Sequence, residues 1–139
     1  MNAYRWTDLR EGLEARFTVL VTAGMMEQFG ALSGDSNPLH VDPVFAMAAG
    51  HPDRVVYGML TASFYSTLVG MHLPGRFALF HGLDAEFLAP VHVGDTLTVS
   101  GTVVQLVEAY RRIVIKAQIV NGTGVTVCRA KLRVGLHEH

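Results

Sequence analysis

Gly58-Met59-Leu60-Thr61-Ala62-Ser63-Phe64-Tyr65-Ser66-Thr67-Leu68-Val69 reads as a helix with charge on none of its faces. The neighbourhood extends the pattern, because no Lys, Arg, Asp or Glu occurs between Arg54 and Arg76. An uncharged run of that extent is nominally long enough to span a bilayer. Hydroxyl residues throughout, together with Gly58, Gly70, His72 and Pro74, make it too polar and too interrupted for lipid. A helix without charge on any face belongs inside other protein. No membrane partner is expected, and Gly70 with Pro74-Gly75 closes the helix.

What encloses it follows in the chain. Leu79 to Leu88, Asp95 to Val107, Arg111 to Val120 and Gly124 to Val134 are rich in Val, Ile, Thr and Leu and partly alternate. Gly94-Asp95, Glu108-Ala109 and Asn121-Gly122 fall at or near the breaks. The last three of these strands are long and joined by short turns, so they must be antiparallel neighbours. Such a sheet has one apolar face to bury, and the uncharged helix is the partner available. The expected fold is therefore α+β: an antiparallel sheet wrapped around a central α-helix.

A chain of 139 residues, half of them apolar and 17% charged, suits one packed domain over 1–139. So little charge also hints at surface buried against another subunit. The formal net charge of −1 offers no electrostatic reason to expect nucleic acid or an anionic membrane as partner. Cys128 is the single cysteine, which excludes an intrachain disulfide and fits a reducing compartment. The segment Met1 to Asp8 lacks the apolar core of a signal peptide, so a cytoplasmic location is expected.

Ahead of the central helix, Arg16 to Val21 reads as a short strand. Thr22 can cap a helix over Ala23 to Ser33, and Gly34 sits where a left-handed C-terminal cap is wanted. Asp35 leaves that helix directly into Asn37-Pro38, where proline fixes its own φ and drives Asn37 out of the helical region. A carboxylate, Asp35, and an imidazole, His40, thus flank a tight turn and can converge on one small volume. Such a pair can hold a water molecule and move its protons, though Asp and His beside a turn also serve as caps and hydrogen-bond partners. Asp42-Pro43 is an N-cap followed by proline at the first helical position, opening a short helix that ends near Gly50.

The run Phe29-Gly-Ala-Leu-Ser-Gly-Asp-Ser-Asn-Pro-Leu-His40, continued by Val41-Asp-Pro-Val-Phe-Ala46, resembles the signature of the MaoC-like, R-specific enoyl-CoA hydratases. The likeness continues through Val56-Tyr-Gly-Met-Leu-Thr-Ala-Ser63 and Pro90-Val-His-Val-Gly-Asp95. The resemblance implies a hot-dog fold, pairing as a homodimer, and reversible syn hydration of a trans-2-enoyl thioester to the R-3-hydroxyacyl thioester. It implies that Asp35 and His40 share the catalytic water. It also implies that the backbone N–H of Gly58 donates to the thioester oxygen, where enolate charge develops. The start of a buried helix suits that task, having free N–H groups and a dipole that favours negative charge. Taken on residues alone, a glycine needed only for turn geometry fits Gly58 equally well.

Ser66 matches a family serine that supports the acid–base pair, although a helix serine bonded to the carbonyl one turn back is as good a reading. Asn37 is a supporting residue whose turn role alone would explain it. Tyr57 departs from relatives that carry histidine before the glycine, which questions any hydrogen bond made by that ring. The segment Phe45 to Tyr57 is expected to overhang the site and to select acyl length. His40 with Asp42, and His51 with Asp53, have spacings a metal accepts, but Asp42 reads as a cap and Asp53 as loop, so no metal is expected. No cofactor is expected either, since Gly58 would polarise the thioester. Cys128 in a strand pattern reads as buried and inert. His137-Glu-His139 is a polar tail without an assigned role. Three alternatives stay open: the same chemistry on an acyl-carrier-protein thioester rather than acyl-CoA, a non-catalytic acyl-thioester-binding subunit, and a thioesterase.

Overall fold

A computed structural model of the chain describes residues 1–138. His139, the last of the polar tail, lies outside the described residues. Five strands, β1 (Glu14–Leu20), β2 (Ala78–Phe87), β3 (Thr96–Val107), β4 (Arg112–Val120) and β5 (Thr126–Leu136), form one sheet in the order β1-β3-β4-β5-β2. All of its pairings are antiparallel. Four helices precede or interrupt it: α1 (Ala23–Ser33), α2 (Pro38–Val41), α3 (Pro43–Ala48) and α4 (Gly58–Thr67). The expected strands lie within a few residues of the observed ones. The helix at 38–41 was not expected; Asn37-Pro38 begins a helical turn rather than a chain reversal.

The sheet curls around α4 as its composition demands. Leu60, Ala62, Tyr65, Leu68 and Val69 are buried against Leu97, Val99, Ile113, Ile115, Leu132 and Val134 from the inner face of β3, β4 and β5. The central helix does not stop at Gly70 but widens into a π turn over Leu68–His72 before the Leu73-Pro74 cis peptide. Gly101 makes the closest approach possible: a Cβ there would lie 2.7 Å from Ile115 Cγ2 and 2.9 Å from Leu68 Cδ2. The helix thus nests where β3 has no side chain. Gly101→Ala is expected to cost about 1–2 kcal/mol through overpacking, read as a fall of roughly 3–8 °C in the thermal midpoint. An unchanged midpoint would mean that the Leu68 contact has slack.

Turn chemistry at the strand ends agrees with the sequence, with one shift. At the β4–β5 turn it is Gly124, not Gly122, that adopts positive φ, at 84°. Asn121 Oδ1 accepts from the N–H groups of Thr123 and Val125, both at 3.0 Å, and so shapes that loop. The tail also has a role: Glu138 accepts from Arg111 at 2.8 Å and from the Trp6 N–H at 3.3 Å. Among the described residues no helix is long and apolar enough to cross a membrane.

Candidate active site

The site is assembled by caps. Thr22 Oγ1 accepts from the Met25 N–H at 3.2 Å, and Gly34, at φ 75°, ends α1 by donating to the Gly30 carbonyl at 2.9 Å. Asp35 then emerges with Oδ1 accepting the Asn37 N–H at 3.0 Å, and Asn37 Oδ1 in turn caps α2 by accepting the Leu39 N–H at 3.0 Å. These two successive side-chain turns fix the path from Asp35 to His40. Asp35 is exposed and His40 half-buried.

His40 is held by its ring. Nδ1 lies 2.7 Å from the Val55 carbonyl oxygen. A carbonyl only accepts, so Nδ1 carries the hydrogen, and Nε2 of the neutral ring keeps a free lone pair. That is the tautomer a general base requires. The ring also stacks on Tyr57, with centroids 4.2 Å apart.

Tyr57 answers the question raised by its replacement of histidine. It is 2% exposed, and its hydroxyl donates to the Asp35 backbone carbonyl at 2.7 Å. Burial first, and then the Asp35 carboxylate, push its phenol above the usual range, while Arg54 pulls the other way; the group stays a donor. Gly30 makes room for it, since a Cβ there would come within 2.8 Å of the Tyr57 hydroxyl. One side chain thus braces both members of the pair, a link the sequence could not disclose because Gly30, Asp35, His40 and Tyr57 meet only in space.

Two adjoining hollows share His40. Asp35 and His40, with Met26, Gly30, Arg54 and Tyr57, line a cavity of about 350 Å³. His40 and Gly58, with Val55, Thr61, Phe87 and Val127, line a cleft of about 410 Å³. Gly58 is the first residue of α4, and no side chain caps that end of the helix. A Cβ on Gly58 would meet the Phe87 ring at 3.3 Å, so glycine keeps the approach to the backbone open. Asn37 and Ser66 border neither hollow: Asn37 acts as a cap, and Ser66 lies on an exposed face of α4. Of the segment 45–57, Arg54 to Tyr57 contribute walls while Phe45 points to solvent, 47% exposed.

The carboxylates considered as metal ligands are otherwise engaged. Asp42 Oδ1 caps α3 by accepting from the Val44 and Phe45 N–H groups at 2.9 and 3.3 Å, and Asp53 Oδ1 accepts from the Arg54 N–H at 2.7 Å. Cys128 is buried, and burial pushes its thiol up. Among the described residues no group of three or more His, Cys, Asp or Glu could hold a metal ion.

A curled antiparallel sheet around a buried helix, with a half-buried imidazole beside that helix's open end, is the hot-dog arrangement. Residues 7–125 match the MaoC-like domain, and the chain belongs to that family. It is 41% identical to the (R)-specific enoyl-CoA hydratase of Aeromonas caviae over 72% of this chain and 75% of that one. The solved (R)-hydratase of A. caviae superposes with a TM-score of 0.89 at 35% identity, covering 92% of this chain and 97% of the other. The mitochondrial 3-hydroxyacyl-[acyl-carrier-protein] dehydratase of Arabidopsis thaliana is 31% identical over 79% of this chain and 65% of its own. The chain is accordingly an enzyme of the hydratase/dehydratase kind, a hydro-lyase.

Proposed function

We propose that this chain hydrates trans-2-enoyl-CoA reversibly to (R)-3-hydroxyacyl-CoA, with Asp35 and His40 handling the water. The observation that carries the reading is the position of His40, shared between the cavity of Asp35 and the cleft of Gly58, with Nδ1 engaged and Nε2 free. In the hydration direction His40 or Asp35 removes a proton from water as its oxygen bonds to C3. The C2–C3 π electrons move toward the thioester, whose oxygen takes up negative charge facing the Gly58 N–H. A proton returned by the pair to C2 on the same face completes syn addition. Each proton-handling group is worth about 10²–10⁴-fold in rate. The decisive measurement is loss of enoyl absorbance with crotonyl-CoA, followed by assignment of the product with an R-specific and an S-specific 3-hydroxyacyl-CoA dehydrogenase. Product oxidised only by the S-specific enzyme overturns the stereochemical assignment.

The Arabidopsis relative supports a second reading, in which the thioester is borne by a carrier protein. Rates with crotonyl-CoA and the crotonyl carrier protein, compared at equal concentration, separate the two. The reading includes a homodimer. β2 is one edge of the sheet and presents Leu79, Leu83 and Phe87, 54%, 37% and 51% exposed. An apolar edge strand of that kind is a template for pairing with a second copy. Sedimentation at micromolar concentration should give twice the chain mass.

Tyr57 enters as a positioning residue. Tyr57→Phe removes one hydrogen bond to the Asp35 carbonyl and keeps the stack on His40. It should lower the thermal midpoint by about 3–5 °C, the loss of about 1 kcal/mol. The turnover number should fall up to about tenfold, with KM little changed. A change confined to KM would place Tyr57 in substrate binding instead.

A further inference from the structure

Thr61 is a buried polar residue, 2% exposed, in a core of mainly apolar side chains. Its Oγ1 has no hydrogen-bond partner among the described residues. That is unusual for a helical threonine, which ordinarily bonds the carbonyl one turn back. The Tyr57 carbonyl already accepts the Thr61 backbone N–H at 3.1 Å. An unpaired buried hydroxyl costs about 1–3 kcal/mol of desolvation, so its retention calls for an acceptor supplied by something else.

The cleft says where that acceptor comes from. Thr61 and Gly58 line the same hollow as His40. They are three positions apart on α4, so they share one face of the helix. The Cα–Cβ bond of a helical residue tilts toward the N-terminus, which carries the Thr61 Cβ, on which the hydroxyl is borne, back toward the first turn. There the Gly58 N–H has no intrahelical acceptor. Around them the wall is apolar, built of Val55, Val56, Phe87, Leu88 and Val127. A hydrogen bond made in such surroundings is stronger than one made in water. Tyr65, the other buried hydroxyl without a partner, borders neither hollow.

We propose that the Thr61 hydroxyl is a second donor to the substrate's thioester oxygen, acting beside the Gly58 N–H. The inference rests on the hydration reading above and goes beyond it by giving the oxygen two donors, one main-chain and one side-chain. Negative charge grows on that oxygen as water adds, so the bond strengthens toward the transition state and contributes to kcat more than to binding.

The test compares wild type, Thr61→Val, Thr61→Ser and His40→Ala with crotonyl-CoA. Valine keeps the shape and removes the donor. It should lower kcat about 10–100-fold with KM within about threefold. Serine should restore most of the rate. Because no protein hydrogen bond is lost, the thermal midpoint of Thr61→Val should stay level or rise. Thr61→Ala repeats the kinetic comparison if valine disturbs packing. The second readout is the carbonyl stretch of crotonyl-CoA bound to the His40→Ala protein. It should lie below that of the free thioester and move back toward it when Thr61→Val is added, but not with Thr61→Ser. Wild-type kcat and an unmoved stretch in Thr61→Val, while His40→Ala has lost turnover, would overturn this inference and leave the hydration reading standing. A wild-type chain that does not hydrate crotonyl-CoA overturns both.

Discussion

His40→Ala is expected to lower the hydration rate by about 10²–10⁴-fold. The ring supplies the one free imidazole lone pair that borders both hollows, and no other histidine lines either of them. Stability should suffer less. The substitution removes the hydrogen bond to the Val55 carbonyl and the stack on Tyr57, together about 1–3 kcal/mol. The half-buried position lets water reach the carbonyl that is left. KM should stay within a few-fold, because the helix start and the apolar wall proposed to receive the thioester are untouched. Steady-state kinetics with a thermal melt on the same preparation decide the matter. A folded His40→Ala protein that keeps more than a third of the wild-type rate would remove His40 from the chemistry.

Asp35→Asn should reduce the rate over the same range while leaving the fold intact. The reason is local. Asp35 Oδ1 accepts the Asn37 N–H at 3.0 Å, and an asparagine carbonyl oxygen can accept the same bond. The turn that presents α2 and His40 therefore survives, and only the charge and proton-accepting capacity disappear. In the proposed mechanism the two groups act on one water, so their effects are expected not to add. The double variant should be little slower than the worse single one. A double variant slower by the product of the two single effects would mean that they serve separate steps.

The fold was largely legible because its signals are local or periodic. Thr22 and Gly34 bound α1 at the expected residues, and the uncharged face of α4 demanded a wrapping sheet. α2 escaped because four residues carry no period, although Asn37 followed by Pro38 is a cap and first-turn proline. The extension of the central helix past Gly70 escaped because glycine usually marks a stop. Within the candidate site, the motif and the helix start single out Asp35, His40 and Gly58, and all three line the two adjoining hollows. The Tyr57 brace and the unpaired Thr61 hydroxyl were not legible. The Tyr57 brace spans 22 residues, so the sequence could mark Tyr57 only as a departure; Thr61 there is an ordinary member of an uncharged run, and only burial inside the fold leaves its hydroxyl unpaired. Ser66 shows the opposite limit: the resemblance singles it out, yet within one chain it stands on the open side of its helix.

Val55 clamps its neighbours with main-chain atoms alone. Its N–H donates to the Leu39 carbonyl at 3.1 Å, its carbonyl accepts from His40 at 2.7 Å, and Val55 lines the cleft. The His40 ring is thus oriented by atoms that every residue but proline possesses. Evolution, or a saturation library at this codon, is free to resculpt the groove for a different ligand while the His40 ring keeps its aim.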